Sequence, residues 1–184
     1  MNRTAALALL KEFTRSESLL KHALAVEAAM RFYAARLSED VELWGVVGLI
    51  HDFDYERWPN PPDHTREGAR ILRERGVNEE IVGAMLSHAE WNHEQYPLDR
   101  PLRKTLSAVD ELCGFVTAVA YVRPEKLTGM MPSSVRKKMK QKSFAAAVNR
   151  EDLERGAVLT GLPLDDHISC VITALQGVAA DLGF

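Results

Sequence analysis

A histidine next to an aspartate gives this chain its clearest chemical signature. His51-Asp52 follows the apolar residues Leu49 and Ile50, so one imidazole and one carboxylate stand where a single cation could bind both. Further candidate ligands lie upstream and downstream of the pair: His22, His64, His88 and Asp110. Asp52 and Asp110 both border apolar segments, where a buried charge is costly unless it is paired or bound to metal. A cation shared with neutral histidines would neutralise them.

The candidate ligand set contains nitrogen and oxygen donors and no thiolate. That composition argues against a structural cysteine-zinc site. It suits one or two divalent ions of Fe, Mn, Co, Ni or catalytic Zn, and it leaves Mg open at an oxygen-rich position.

The ordered series His … His-Asp … His … His … Asp resembles the HD-domain superfamily of metal-dependent phosphohydrolases, including its HDIG-like members, over roughly residues 18–122. The resemblance implies an all-α helical bundle. It also implies a first metal held by His22, His51, Asp52 and Asp110, and a second held by His64 and His88 with Asp52 bridging. A metal-bound hydroxide would then attack the phosphorus of a small phosphorylated substrate, for instance a nucleotide.

Two features separate the chain from the cyclic-dinucleotide branch of that superfamily. That branch carries a Gly-Tyr-Pro signature after its later histidines, and the corresponding residues 88–97 lack the glycine. It also carries a lysine shortly after the His-Asp pair, where this chain has Phe53-Asp54-Tyr55. We therefore do not expect cyclic-di-GMP as the substrate.

Two other functions fit the same ligand order. One is an HD-type di-iron oxygenase, which would require oxygen and two irons. The other is a non-catalytic module in which metal supports the fold or senses a ligand. A plainer alternative for the cluster is a buried polar network that fixes helix packing.

Several polar residues near the ligand series are candidates for catalysis or substrate binding. Asp54 and Glu56 follow the His-Asp pair and could act as general bases or orient metal ligands, or they could be simple surface acids. Arg123, Lys126 and His93 are candidate substrate contacts, and the plainer interpretation is exposed loop positions. The basic residues of segment 136–142 could reach a phosphate, but a solvated helix face is the favoured interpretation.

Helices must position these side chains, because apolar residues recur at spacings of three and four and no alternating strand pattern is present. Asp40 and Asn78 are predicted N-caps, and Gly76 is a predicted helix stop. The proline-rich stretch after Trp58 must be a loop. The predicted helices cover approximately residues 4–13, 18–37, 41–52, 64–75, 79–90, 101–122, a short segment after Ser133, 149–161 and 165–182.

Length and composition favour one domain over residues 1–184, with a metal-binding core at about 18–122 and C-terminal helices at about 133–184 packed on it. A net charge of −3 gives no support for general nucleic-acid binding. No membrane span or signal peptide is expected. Cys113 and Cys170 are expected to be buried free thiols, which fits a cytoplasmic protein. The sequence leaves the substrate and the oligomeric state open.

Overall fold

The computed structural model describes residues 1–184 and contains nine α-helices and no β-strand, which confirms the all-α prediction. A short 3-10 turn, Glu90–Asn92, lies between the fifth and sixth helices. The helices are α1 (Arg3–Phe13), α2 (Glu17–Leu37), α3 (Val41–Ile50), α4 (Asp63–Glu74), α5 (Glu79–Ser87), α6 (Pro101–Tyr121), α7 (Pro132–Met139), α8 (Arg150–Thr160) and α9 (Leu164–Gln176).

The two 21-residue helices, α2 and α6, lie at the centre of the bundle. Helix α2 packs against α3, α6 and α9, whereas α6 also packs against α5 and α8. One continuous hydrophobic cluster of 47 buried residues runs from Ala6 in α1 to Leu182 near the C-terminus. The C-terminal helices therefore share a core with the helices that carry the predicted ligands.

The predicted helix caps are present. The side chain of Asp40 accepts hydrogen bonds from the backbone N–H groups of Glu42 and Leu43, and Asn78 caps α5 in the same way. Gly76 adopts a left-handed conformation (φ +68°) just after α4, which is the backbone geometry that favours glycine there.

The helices differ from the prediction at several positions. Helix α3 ends at Ile50, so the His-Asp pair lies in the turn that follows it. Within α4, His64 and Thr65 have non-helical backbone angles, and Thr65 has a positive φ of 69°. Helix α9 ends at Gln176 rather than near Leu182. Hydrophobic periodicity continues through turns that remain packed on the core, so it does not mark these ends.

No single helix is both long enough and apolar enough to cross a membrane. Helices α8 and α9, which meet at an angle of 93°, reach that length and composition only when taken together.

Candidate metal centre

The six predicted ligands come together in one cluster, although they lie on five separate segments. Around Asp110, the Oδ1 atom is 3.0 Å from Nε2 of His22 and 3.3 Å from Nε2 of His51. Around Asp52, the Oδ1 atom is 3.1 Å from Nε2 of His88 and 3.3 Å from Nε2 of His64. His51 lies between the two aspartates, because its Nε2 is also 3.7 Å from Oδ2 of Asp52.

Asp52 belongs to both halves of this cluster. One group of potential ligand atoms comprises His22, His51 and Asp52, and a second comprises Asp52, His64 and His88. Within each group all ligand atoms lie within 4.8 Å of one another. Asp52 is the only member of both groups, so its carboxylate occupies the position from which it could contact two cations.

His51 and His88 are each oriented by a hydrogen bond to a backbone carbonyl three residues before them. Each follows the last residue of a helix, α3 or α5, where the final carbonyls have no partner within the helix. Nδ1 of His51 donates to the carbonyl of Gly48 at 2.8 Å, and Nδ1 of His88 donates to the carbonyl of Met85. Because a carbonyl only accepts, Nδ1 carries a proton, and Nε2 is the nitrogen that faces the cluster and would offer its lone pair to a cation.

His64 is oriented by a carboxylate instead of a carbonyl. Its Nδ1 donates to Oδ1 of Asp54 at 3.0 Å, and Asp54 is fully buried. The second oxygen of Asp54 accepts from the backbone N–H groups of Thr65 (2.8 Å) and Gly68 (2.9 Å). Asp54 therefore fixes both the imidazole of His64 and the unusual backbone turn that carries it.

Gly68 is needed for this arrangement. A Cβ atom at this position would lie 2.7 Å from Oδ2 and 2.9 Å from Cγ of Asp54, well inside van der Waals contact. Asn92 supports the same turn by donating to Oγ1 of Thr65 at 3.0 Å and to the carbonyl of Leu86.

The charges of the cluster favour protonated imidazole next to ionised carboxylate when only the protein groups are considered. Burial opposes protonation of His51, but Asp52 and Asp110 outweigh it and raise the pKa of His51 to about 9. Burial likewise opposes protonation of His64, whereas Asp52 and Asp54 raise its pKa to about 9. Burial alone would raise the pKa values of Asp52 and Asp110, but the histidines hold both well below the usual range.

The donor set fits divalent metal. Nε2 of His51 is buried and makes no hydrogen bond, although carboxylate oxygens lie within ion-pair distance. A buried nitrogen without a hydrogen-bond partner is costly for the protein alone, and coordination to a cation would satisfy it. The residues that would hold the cations are the four histidines and two aspartates of the cluster, which match the nitrogen and oxygen donors of catalytic divalent sites.

A cavity of about 430 Å³ opens over the cluster, which is within the roughly 300–1,000 Å³ typical of small-molecule sites. Its walls include the exposed aromatic rings of Tyr55 and Trp91, which contact His64 edge-on at centroid distances of 5.2 Å and 6.0 Å. Its acidic lining residues are Asp52, Glu90, Asp110, Glu111 and Asp152, and its one lysine or arginine is Arg155.

Burial raises the pKa of Glu111, and the nearby carboxylates of Asp110 and Asp152 raise it further. The cavity wall therefore holds more carboxyl groups than lysine or arginine side chains, and the pKa of one of those carboxyl groups is raised by its surroundings.

The structure does not bring the other predicted site residues to this cavity. Asp54 is buried with both oxygens occupied, so it cannot serve as an open general base. Glu56 accepts from the backbone N–H groups of Arg15 and Ser16 at the start of α2. Neither carboxylate lines the cavity.

The predicted substrate contacts also have local structural partners. His93 is half-buried, with Nε2 2.9 Å from the carbonyl oxygen of Ser87. Arg123 donates to Ser134 and Thr128, and Lys126 donates to the carbonyl of Tyr121. These groups stabilise turns that follow α5 and α6, and none of the three lines the cavity, nor does any residue of the basic segment 136–142.

Several residues line the cavity without being predicted from the sequence. Glu90 and Trp91 follow His88 within three residues, so their closeness to a predicted ligand was an available signal. Asp152 and Arg155 are different because they come from α8, more than 40 residues beyond Asp110. No local pattern marks them, since only the packing of α8 on α6 brings them to the cavity.

The model of one protein family, described as HD domain, matches residues 19–133. The matched segment contains all six members of the cluster and ends before α8. No solved structure matches the chain.

Proposed function

The chain belongs to the HD domain family, and on this premise we propose that it is a metal-dependent phosphohydrolase acting on a small phosphorylated molecule. The observation that carries the proposal is the position of Asp52, which is shared by two groups of potential ligands within one cluster. A carboxylate in that position suits two neighbouring cations, and such pairs are used to stabilise both the attacking and the leaving oxygen of a phosphoryl group.

The protein groups have distinct tasks in this reaction. His22, His51, Asp52 and Asp110 would hold one divalent cation, while Asp52, His64 and His88 would hold the other. The hydrogen bonds from His51 and His88 to helix-end carbonyls, and from His64 to Asp54, hold Nε2 of each ring toward the cluster, where it would bind a cation. Such outer partners fix ring orientation and tautomer, and their loss usually weakens metal binding.

The cations, when bound, supply a water of lowered pKa and positive charge next to the phosphoryl oxygens. The protein supplies the remaining parts of the site. Tyr55 and Trp91 offer exposed aromatic faces beside His64, on which a planar ring such as a nucleobase could stack. A nucleotide therefore remains a suitable substrate class within the proposal.

The proposal is tested with metal-free protein and a panel of phosphate esters, each assayed with Fe, Mn, Co, Ni, Zn or Mg. We expect phosphate release only after metal addition, at equal rates with and without oxygen. Asp52→Asn should abolish it, whereas Asp63→Asn, an exposed carboxylate on α4 that pairs with Arg66, should leave it unchanged.

Other outcomes would contradict this function. Two bound irons with oxygen-dependent turnover would identify an HD-type oxygenase. Stoichiometric metal binding without hydrolysis of any monoester or diester would identify a non-catalytic binding module.

A further inference from the structure

Helix α8 contributes to the cavity from outside the segment that matches the family model. The match ends at residue 133, whereas α8 covers Arg150–Thr160. Two of its side chains, Asp152 and Arg155, line the cavity that opens over the metal cluster. These residues therefore belong to the part of the site that the family match does not cover.

A close backbone approach holds α8 in this position. A Cβ atom on Gly156 would lie 2.7 Å from the carbonyl oxygen of Ala108 in α6 and 3.0 Å from Nε2 of His167 in α9. Only glycine allows α8 to approach α6 so closely. Ala108 is two residues before Asp110, so this contact places Arg155 beside the helical turn that carries a candidate metal ligand.

Arg155 is the one lysine or arginine among the residues lining the cavity. Its guanidinium donates to Glu90 at 2.7 Å and lies 2.9 Å from a carboxylate oxygen of Asp152. The side chains of Arg155 and Glu90 are 46% and 68% exposed. Exposed ion pairs of this kind contribute little free energy, so an incoming anion could replace Glu90 at modest cost.

We propose that Arg155 is a substrate-binding residue that selects substrates carrying a second anionic group, a carboxylate or a further phosphoryl group, beyond the phosphoryl group that reacts. This inference rests on the proposed function. Arg155 makes no contact with Asp52 or Asp110, and its partner Glu90 lies in the exposed turn after α5. The reacting phosphoryl group would lie at the metal cluster. The half-exposed guanidinium of Arg155 would then be available to bind the second anionic group of the substrate.

Arginine suits this task because its planar guanidinium binds carboxylate and phosphate through two parallel hydrogen bonds. Three carboxylates line the same cavity as Arg155, those of Glu90, Glu111 and Asp152. They would repel an anionic group that does not pair with the guanidinium. Arg155 would then give both the affinity and the discrimination for the second anion.

The test measures binding to the manganese-loaded full chain by calorimetry, with glycerol 3-phosphate and 3-phosphoglycerate as probes, since they differ by one carboxylate. We expect the wild type to bind 3-phosphoglycerate about tenfold or more tightly than glycerol 3-phosphate, as a charge-assisted hydrogen bond requires. Arg155→Ala should remove this preference. Glu90→Gln should keep or increase it, because it frees the guanidinium from a competing carboxylate.

A matched control removes an exposed ion pair elsewhere. Arg136 and Asp165 are 46% and 63% exposed and lie outside the cavity, so Arg136→Ala should leave the preference unchanged. Equal affinities of the wild type for the two probes would refute the inference. An equal loss of the preference in Arg155→Ala and Glu90→Gln would also refute it, and would indicate that the ion pair between Arg155 and Glu90 has a structural role. Because binding is measured, a preference retained without phosphate release would refute only the proposed function.

Discussion

Asp54 and Asp52 lie on opposite sides of the His64 imidazole. Oδ1 of Asp54 is 3.0 Å from Nδ1, and Oδ1 of Asp52 is 3.3 Å from Nε2. The buried carboxylate accepts a hydrogen bond from Nδ1–H, which makes Nε2 the ring nitrogen that faces the cluster and would bind metal. Asp54 therefore acts on the cluster through His64, although it does not face the cavity.

Asp54→Asn should lower the affinity for metal by roughly 10- to 100-fold, as is usual when a partner that orients a ligand is lost. Asparagine keeps the volume but weakens the charge-assisted hydrogen bond to His64. Titration of metal-free protein with zinc or manganese measures the effect.

Gly68→Ala provides an independent route to the same change, because the new Cβ would displace the Asp54 carboxylate. It should weaken metal binding in the same direction. Asp63→Asn is the control and should bind metal as tightly as the wild type. If Asp54→Asn and Gly68→Ala also kept the wild-type affinity for metal, Asp54 would have no orienting role.

Removal of single ligands should distinguish the two halves of the cluster. His88→Gln removes one of three potential ligands of the second group and leaves the first group intact. We expect this variant to retain one tightly bound metal per chain and to lose the other. Asp52→Asn should impair both, because Asp52 belongs to both groups. Metal content after dialysis, measured by mass spectrometry, would show whether the two variants differ in this way; identical losses would argue against a two-metal site.

The sequence was sufficient to predict the helical class and the six side chains that converge. It succeeded there because apolar spacing reports helix faces directly and because the ligands are His and Asp in a recognisable order. It did not predict that His64 and Thr65 interrupt α4, since the interruption depends on Asp54 accepting from Thr65 and Gly68. That interaction joins residues more than ten positions apart and has no periodicity.

The same limit explains why some predicted neighbours of the ligands do not line the cavity. Glu56, Arg123 and Lys126 lie near the ligands in sequence, yet their side chains bond elsewhere. Glu56 accepts from the distant backbone N–H groups of Arg15 and Ser16, whereas Arg123 and Lys126 donate to backbone carbonyls five residues away. Arg155 lies far from the ligands in sequence, and the absence of a side chain at Gly156 brings it to the cavity. Long-range backbone contact is not encoded in any local pattern.

Gly156→Ala should destabilise the protein by about 1–3 kcal/mol, the usual cost of inserting a methyl group into a close-packed contact. The atoms it meets are a backbone carbonyl and a buried histidine, so neither can move aside freely. Gly114→Ala in α6 is the matched control. The nearest atom to its Cβ is 3.9 Å away, so this helical substitution should stabilise the chain by roughly 0.5–1 kcal/mol. Chemical denaturation compares the two, and a neutral Gly156→Ala would show that α8 is not held by this contact.

His167 should make the protein sensitive to acid. Burial lowers its pKa to about 4, and the hydrogen bond between Nε2 and the carbonyl of Ala108 (3.1 Å) offsets this effect only in part. On the other side of the ring, Nδ1 lies 2.6 Å from the hydroxyl oxygen of Tyr33. In the unfolded chain the same group would titrate near 6.5. Above pH 6.5 the histidine is neutral in both states and does not alter the free energy of unfolding. As the pH falls from 6.5 to about 4, the unfolded state binds more protons than the folded state, so the folded state loses stability.

Replacement of this residue by glutamine removes the titration together with its hydrogen bonds. His167→Gln should be less stable than the wild type at pH 7.5, and the difference in free energy of unfolding should shrink as the pH falls to about 4. The shrinkage should be on the order of 3 kcal/mol, since each pKa unit corresponds to about 1.4 kcal/mol. Urea denaturation of both proteins at matched pH values gives this difference, in which the titration of the metal cluster cancels. A constant difference between pH 7.5 and pH 4 would mean that His167 has the same pKa in the folded and unfolded states.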